Sequence, residues 1–160
     1  MHPGRPIALA SVALLTAALL SGCGGKEQVT AAELVQKGDA ICRDLEKRFS
    51  EIQAAPLVTS SDGADQAGAL HDAAKDSIDD LRHFEPPEDL RATYDRYLDA
   101  KEDTLQYFDA DKEAADNRDG TAYAAAEAAV ARGAPERARL AKSLGFKVCS
   151  QGPGTGLAAG

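Results

Sequence analysis

Apolar residues recur at helical spacing through four stretches of this chain, each bounded by a break that local chemistry explains. Thr30-Ala31-Ala32-Glu33 has the pattern of a capping box, in which the threonine and glutamate side chains each satisfy a free backbone N–H. Behind it Leu34, Ile41, Leu45, Phe49 and Ile52 share one face, which predicts a first helix ending near Gln53. Pro56 closes that stretch, and Thr59-Ser60-Ser61-Asp62-Gly63 reads as loop. A second helix is expected from Ala64 to Phe84, with Leu70, Ala74, Ile78, Leu81 and Phe84 turned inward. Pro86-Pro87 stops it, and Pro87 suits the first position of a third helix whose opening turn carries Glu88 and Asp89. Leu90, Tyr94, Tyr97, Leu98, Leu105 and Phe108 mark that helix, which extends toward Asn117 before Asp119-Gly120 breaks it. A fourth runs from Thr121 through Tyr123, Ala126, Val130, Ala134, Ala141 and Leu144. Gly133-Ala134-Pro135 predicts a kink or split near Pro135, and Gly145 fits a left-handed C-cap.

Four amphipathic segments with short connections predict an all-α fold, an antiparallel up-down-up-down four-helix bundle over residues 30–150. The flanks differ. Gly24 to Val29 is polar and reads as a tether, and 151–160 is too poor in large apolar residues to join a core, so a disordered tail is expected.

The first 22 residues follow another rule. His2 and Arg5 precede a fourteen-residue run, Ile7 to Leu20, that is apolar apart from Ser11 and Thr16. Crossing a bilayer takes roughly 20 apolar residues, so the run has the length of a signal-peptide core and not of a spanning helix. It ends in Leu20-Ser21-Gly22-Cys23. This tetrapeptide, placed after such a run, resembles the lipobox of bacterial lipoprotein precursors. The resemblance covers residues 1–23 alone. It implies a signal peptide over 1–22, cleavage before Cys23, diacylglycerol on the Cys23 sulfur and a lipid-anchored tether over 23–29. The implied address is the extracytoplasmic face of a cell membrane, with the bilayer as a partner through acylated Cys23. Two acyl chains suffice for stable anchoring, each buried CH₂ contributing about 0.8 kcal/mol. In its plan of lipobox, capped first helix bearing a cysteine, Pro-Pro break and final cysteine, the chain also resembles small helical-bundle lipoproteins. That likeness of layout implies no particular activity.

With Cys23 lipidated, Cys42 and Cys149 remain, and in an exported domain they are expected to form one disulfide. In the up-down topology the fourth helix ends beside the start of the first, and Phe146 to Cys149 then turns back to reach Cys42 about three turns along. No Cys-x-x-Cys occurs, so the pair reads as a structural staple and not as a redox centre.

Charge narrows the partners. The formal net charge is −8, and loss of residues 1–22 removes Arg5 and no acid, leaving −9. Neither nucleic acid nor electrostatic adhesion to an anionic lipid surface fits that sign. Metal chemistry has weak candidates only. Asp80-x-x-His83 is a single copy of a motif that helical metal sites use in pairs. His71 lies about 18 Å away from His83 along an ideal helix and cannot join it on one ion. Asp109, Asp111 and Glu113 alternate like a calcium loop, yet Ala114 and Gly120 stand where that loop needs glycine and glutamate. No nucleophile elbow, phosphate loop or haem motif occurs, and no cofactor is implied. The expected function is therefore a membrane-anchored, non-catalytic helical module with an interaction or structural role. Asp95, Asp99, Glu102 and Asp103 form a possible face for an envelope protein. The alternative is a solute- or metal-binding lipoprotein that presents a ligand at the membrane surface, with Tyr94, Tyr97 and Phe108 as candidate pocket walls.

Overall fold

The computed structural model describes residues 25–151; the expected signal peptide, Cys23 and the tail beyond residue 151 lie outside the described residues. Four helices make up nearly all of it: α1 (Ala31–Gln53), α2 (Ser60–Arg82), α3 (Glu88–Asp116) and α4 (Gly120–Ser143). The all-α class expected from the periodicity is observed.

Three of the four helices begin where a side chain satisfies free N–H groups; α3 instead starts directly after Pro87, which makes no capping hydrogen bond. Thr30 caps α1 in a complete capping box with Glu33. Thr59 caps α2 in a second box, with Asp62 as the reciprocal acid. Residues 59–63, expected as loop, are therefore the helix start: the same Thr, Ser and Asp that favour turns also satisfy an N-terminus. Asp119 caps α4 by accepting from the N–H groups of Thr121 and Ala122.

Two departures concern the flanks. Glu27–Gln28 (β1) pairs in parallel with Phe84–Glu85 (β2), so α2 ends at Arg82 and Phe84 belongs to a strand. Residues 27–29, expected as tether, are part of the folded body. Glu27 N–H donates to the His83 carbonyl at 2.6 Å, Val29 N–H to the Glu85 carbonyl at 3.1 Å, and the Val29 side chain is buried. Lys37 adds an ion pair to Glu27 at 2.5 Å. A two-residue strand has no periodicity, so pattern could not reveal it.

The expected split at Pro135 does not occur, since α4 runs unbroken through it. Nearby, the Arg137 guanidinium donates to the Val130 carbonyl at 3.1 Å, one residue before the Ala131 carbonyl that Pro135 has no N–H to bond. Gly145 ends α4 with φ +87°, and the bonds Gly145 N–H to Lys142 O and Phe146 N–H to Ala141 O complete a Schellman motif.

The core has two parts. One joins Val29, Leu34 and Cys42 to Leu81, Tyr94, Tyr97, Leu98, Leu140, Ala141, Leu144, Phe146 and Cys149. The other joins Leu45 and Phe49 to Leu70, Ala73, Ala74 and Phe108. The first thus gathers the start of α1, the ends of α2 and α4 and the start of α3. α2 packs closely on α3 and α3 on α4, while α1 leans on α2; α1 and α4 hardly approach each other. That loose seam positions the candidate site.

Candidate functional site

The α1–α4 seam is closed at one end by the chain after α4. Cys42 and Cys149 form the expected disulfide, with Cα atoms 5.3 Å apart and 107 residues between them in sequence. Asp39, one turn before Cys42, makes this possible. Its carboxylate is buried and accepts hydrogen bonds from the backbone N–H groups of Lys147 at 3.0 Å, Val148 at 2.9 Å and Cys149 at 3.4 Å. Gly38 beside it leaves room for the Phe146 ring, which a Cβ at that position would meet at 2.5 Å. Sequence reasoning found the cysteines and missed Asp39. An acid at an inward position of the first helix was the available signal.

Below the disulfide the seam opens into a cavity of about 40 Å³ lined by Leu45, Glu46, Tyr97, Lys101, Arg137 and Ala138. A second cavity of about 60 Å³ shares Leu45, Lys101 and Arg137 and continues between Phe49, Ile78, Phe108 and Val130. Tyr97 forms the floor. It is 2% exposed, stacks at a tilt on Phe146 with centroids 5.6 Å apart, and its hydroxyl lies 3.8 Å from the Cys42 sulfur. Burial holds its phenol well above the usual tyrosine range, and Tyr94, whose hydroxyl donates to the Leu81 carbonyl at 2.6 Å, is raised for the same reason.

Lys101 on α3 and Arg137 on α4 both line this space. The Lys101 ammonium lies 5.7 Å from the Tyr97 ring centroid, and burial, aided by the nearby guanidinium, lowers its pKa to about 8. Arg137 donates to the Thr104 hydroxyl at 2.9 Å and to the Val130 carbonyl, and burial lowers its pKa as well. Glu46 stands on the α1 wall, where burial raises its pKa against the opposing pull of Arg43. Chemically the seam is a short, largely apolar slot bordered by two cations and the Glu46 carboxyl.

The metal candidates are dispersed. Asp80 and His83 are exposed; His83 Nδ1 is 2.7 Å from the Asp79 carbonyl, and Asp80 borders a shallow cleft with Asp44, Arg48 and Ser77. Asp109 and Glu113 face solvent, with Asp109 3.6 Å from His71 Nε2, whereas Asp111 turns inward and is 5% exposed. Among the described residues no three His, Cys, Asp or Glu side chains gather as a metal-ligand set. On the acidic face of α3, Asp95, Asp99 and Asp103 are exposed and Glu102 pairs with Arg82. Of the three candidate pocket aromatics, Tyr94 and Phe108 belong to the core and Tyr97 borders the cavity, as Phe108 does at its far end.

No helix among the described residues is long and apolar enough to cross a membrane. Comparison with protein-family models, with curated proteins and with solved structures finds no match.

Proposed function

We propose that this chain is a lipoprotein of the extracytoplasmic membrane face, anchored through acylated Cys23, whose helical body is a non-catalytic binding or structural module. The observation that carries the reading is the cysteine partition. Cys42 and Cys149 pair with each other, as suits an exported domain, and Cys23 is left at the end of an apolar run in the sequence Leu20-Ser21-Gly22-Cys23. The docked β1 strand adds a geometric consequence. Four residue steps separate Cys23 from Glu27, a reach of at most about 14 Å. The anchor would hold the disulfide end of the bundle against the bilayer and direct the α1–α2 connection outward.

The non-catalytic part of the reading draws support from how three interior polar groups are used. Asp39 holds backbone, Tyr94 holds the end of α2, and Thr104 bridges α3 to Arg137. The solute-binding alternative keeps a place because Lys101 and Arg137 both line the small cavities of the seam.

Intact-mass analysis of the exported protein tests the anchor. The expected product begins at Cys23, carries the mass of at least two acyl chains and partitions with membranes, and a Cys23→Ser variant carries no acyl mass. A soluble, unacylated product that retains residues upstream of Cys23 would overturn the reading.

A further inference from the structure

We propose that the seam between α1 and α4 is a binding site for a small organic monocarboxylate, whose carboxylate is held by Lys101 and Arg137 and whose short alkyl chain lies toward Phe49, Ile78, Phe108 and Val130. The inference rests on the solute-binding reading and gives it a ligand class.

Charge pairing picks out the two cations. Acids outnumber bases 26 to 18 in this chain, and the other half-buried cations, Lys37 and Arg48, have carboxylate partners at 2.5 and 2.9 Å. Among the described residues, Lys101 and Arg137 alone are both withdrawn from solvent and without an ion pair; the remaining unpaired cations are exposed. Two unpaired cations in a slot of low polarity repel each other and lose hydration, and an anion between them relieves both costs. Glu46 lines the same space but lies beyond ion-pair distance from either.

Donor inventory fits a carboxylate. A guanidinium has five N–H donors, and the bonds to Thr104 and Val130 use two of Arg137's. Three donors remain there and three on the Lys101 ammonium, enough for a two-oxygen acceptor with charge-assisted bonds. Volume limits the rest. One water needs roughly 10–15 Å³ of such space, so cavities of about 40 and 60 Å³ hold a handful of heavy atoms, not a nucleotide or a sugar phosphate. The walls beyond the cations are apolar, so a short alkyl chain suits them.

Titration of the whole disulfide-intact protein in detergent, followed by NMR, tests the site with acetate, propionate and butyrate. Propionamide, inorganic phosphate and a mixed panel of neutral solutes serve as comparison arms at matched ionic strength. Saturable shifts are expected at Lys101, Thr104 and Arg137 with propionate or butyrate, and none with propionamide. Lys101→Met and Arg137→Gln are each expected to weaken binding by about tenfold, the loss of one charge-assisted contact, and Glu46→Gln to strengthen it severalfold. The wild-type shift map stands by itself if either cation variant misfolds. Carboxylates that fail to saturate, or that saturate with shifts elsewhere, overturn the proposal. Should phosphate or a neutral solute bind instead, the carboxylate assignment falls and the solute-binding reading stands. Should nothing bind, both fall.

Discussion

Asp39 shows how one side chain can organise a remote segment. Its two oxygens receive three backbone N–H groups from residues 147–149, which follow α4 and have no helix to pair with. Replacement by alanine would orphan those donors in a buried place, and hydrogen bonds to charged groups contribute about 1.5–3 kcal/mol each in such settings. Asp39→Ala is expected to cost roughly 2–4 kcal/mol, read as a lower urea midpoint with unchanged m-value. A loss below 0.5 kcal/mol, on the order of a neutral surface change, would show that the disulfide alone fixes the turn. Arg118 makes a related point. It occupies the left-handed region at φ 57° without being glycine, and the bonds from Arg118 and Asp119 N–H to Ala115 and Ala114 carbonyls show why: they terminate α3 in three residues. That turn lies where Asp119-Gly120 suggested a break, yet the residue bearing the strain gave no sign of it.

Between elements, the α3–α4 interface buries an unfavourable charge. Asp111 is 5% exposed and its Oδ1 has no hydrogen-bond partner, while Glu127 lies close enough on α4 to repel it. Burial, with Glu127 adding to it, raises the Asp111 pKa to about 6 from a reference of 3.8. The folded state therefore holds this proton more tightly than the unfolded chain, and stability falls as pH rises from about 4 to about 6, with the full penalty present at neutrality. Asp111→Asn should remove that slope and leave the protein about 1–3 kcal/mol more stable at pH 7, measured as the difference between denaturation curves at pH 4 and pH 7. An unchanged pH dependence would mean that water reaches the carboxylate. The calcium-like spacing of Asp109, Asp111 and Glu113 has the same origin: successive alternate positions on a helix point apart, so one turns inward and two meet solvent.

At the scale of the molecule, the disulfide joins the first helix to the segment after the last and closes a loop spanning nearly all of the described chain. Constraining such a loop in the unfolded state contributes about 4–5 kcal/mol in the chain-entropy picture. Reduction is expected to lower the melting temperature strongly, and a Cys42→Ser, Cys149→Ser double variant should match the reduced protein; a reduced protein melting within a few degrees of the oxidised one would contradict this. The sequence by itself determined the four helices, most of their boundaries and the pairing of Cys42 with Cys149, because apolar period, capping residues and cysteine count are local or countable properties. Leu20 to Cys23, on which the proposed address rests, lies outside the described residues. Only the tertiary structure decided that Glu27–Gln28 docks on Phe84–Glu85, that α4 continues past Pro135, that Asp39 grips the final turn, and that Lys101 and Arg137 share a slot between α1 and α4. Each of these depends on groups far apart in sequence meeting in space, and a hydrophobic pattern reports which face is buried but not which polar groups that burial brings together.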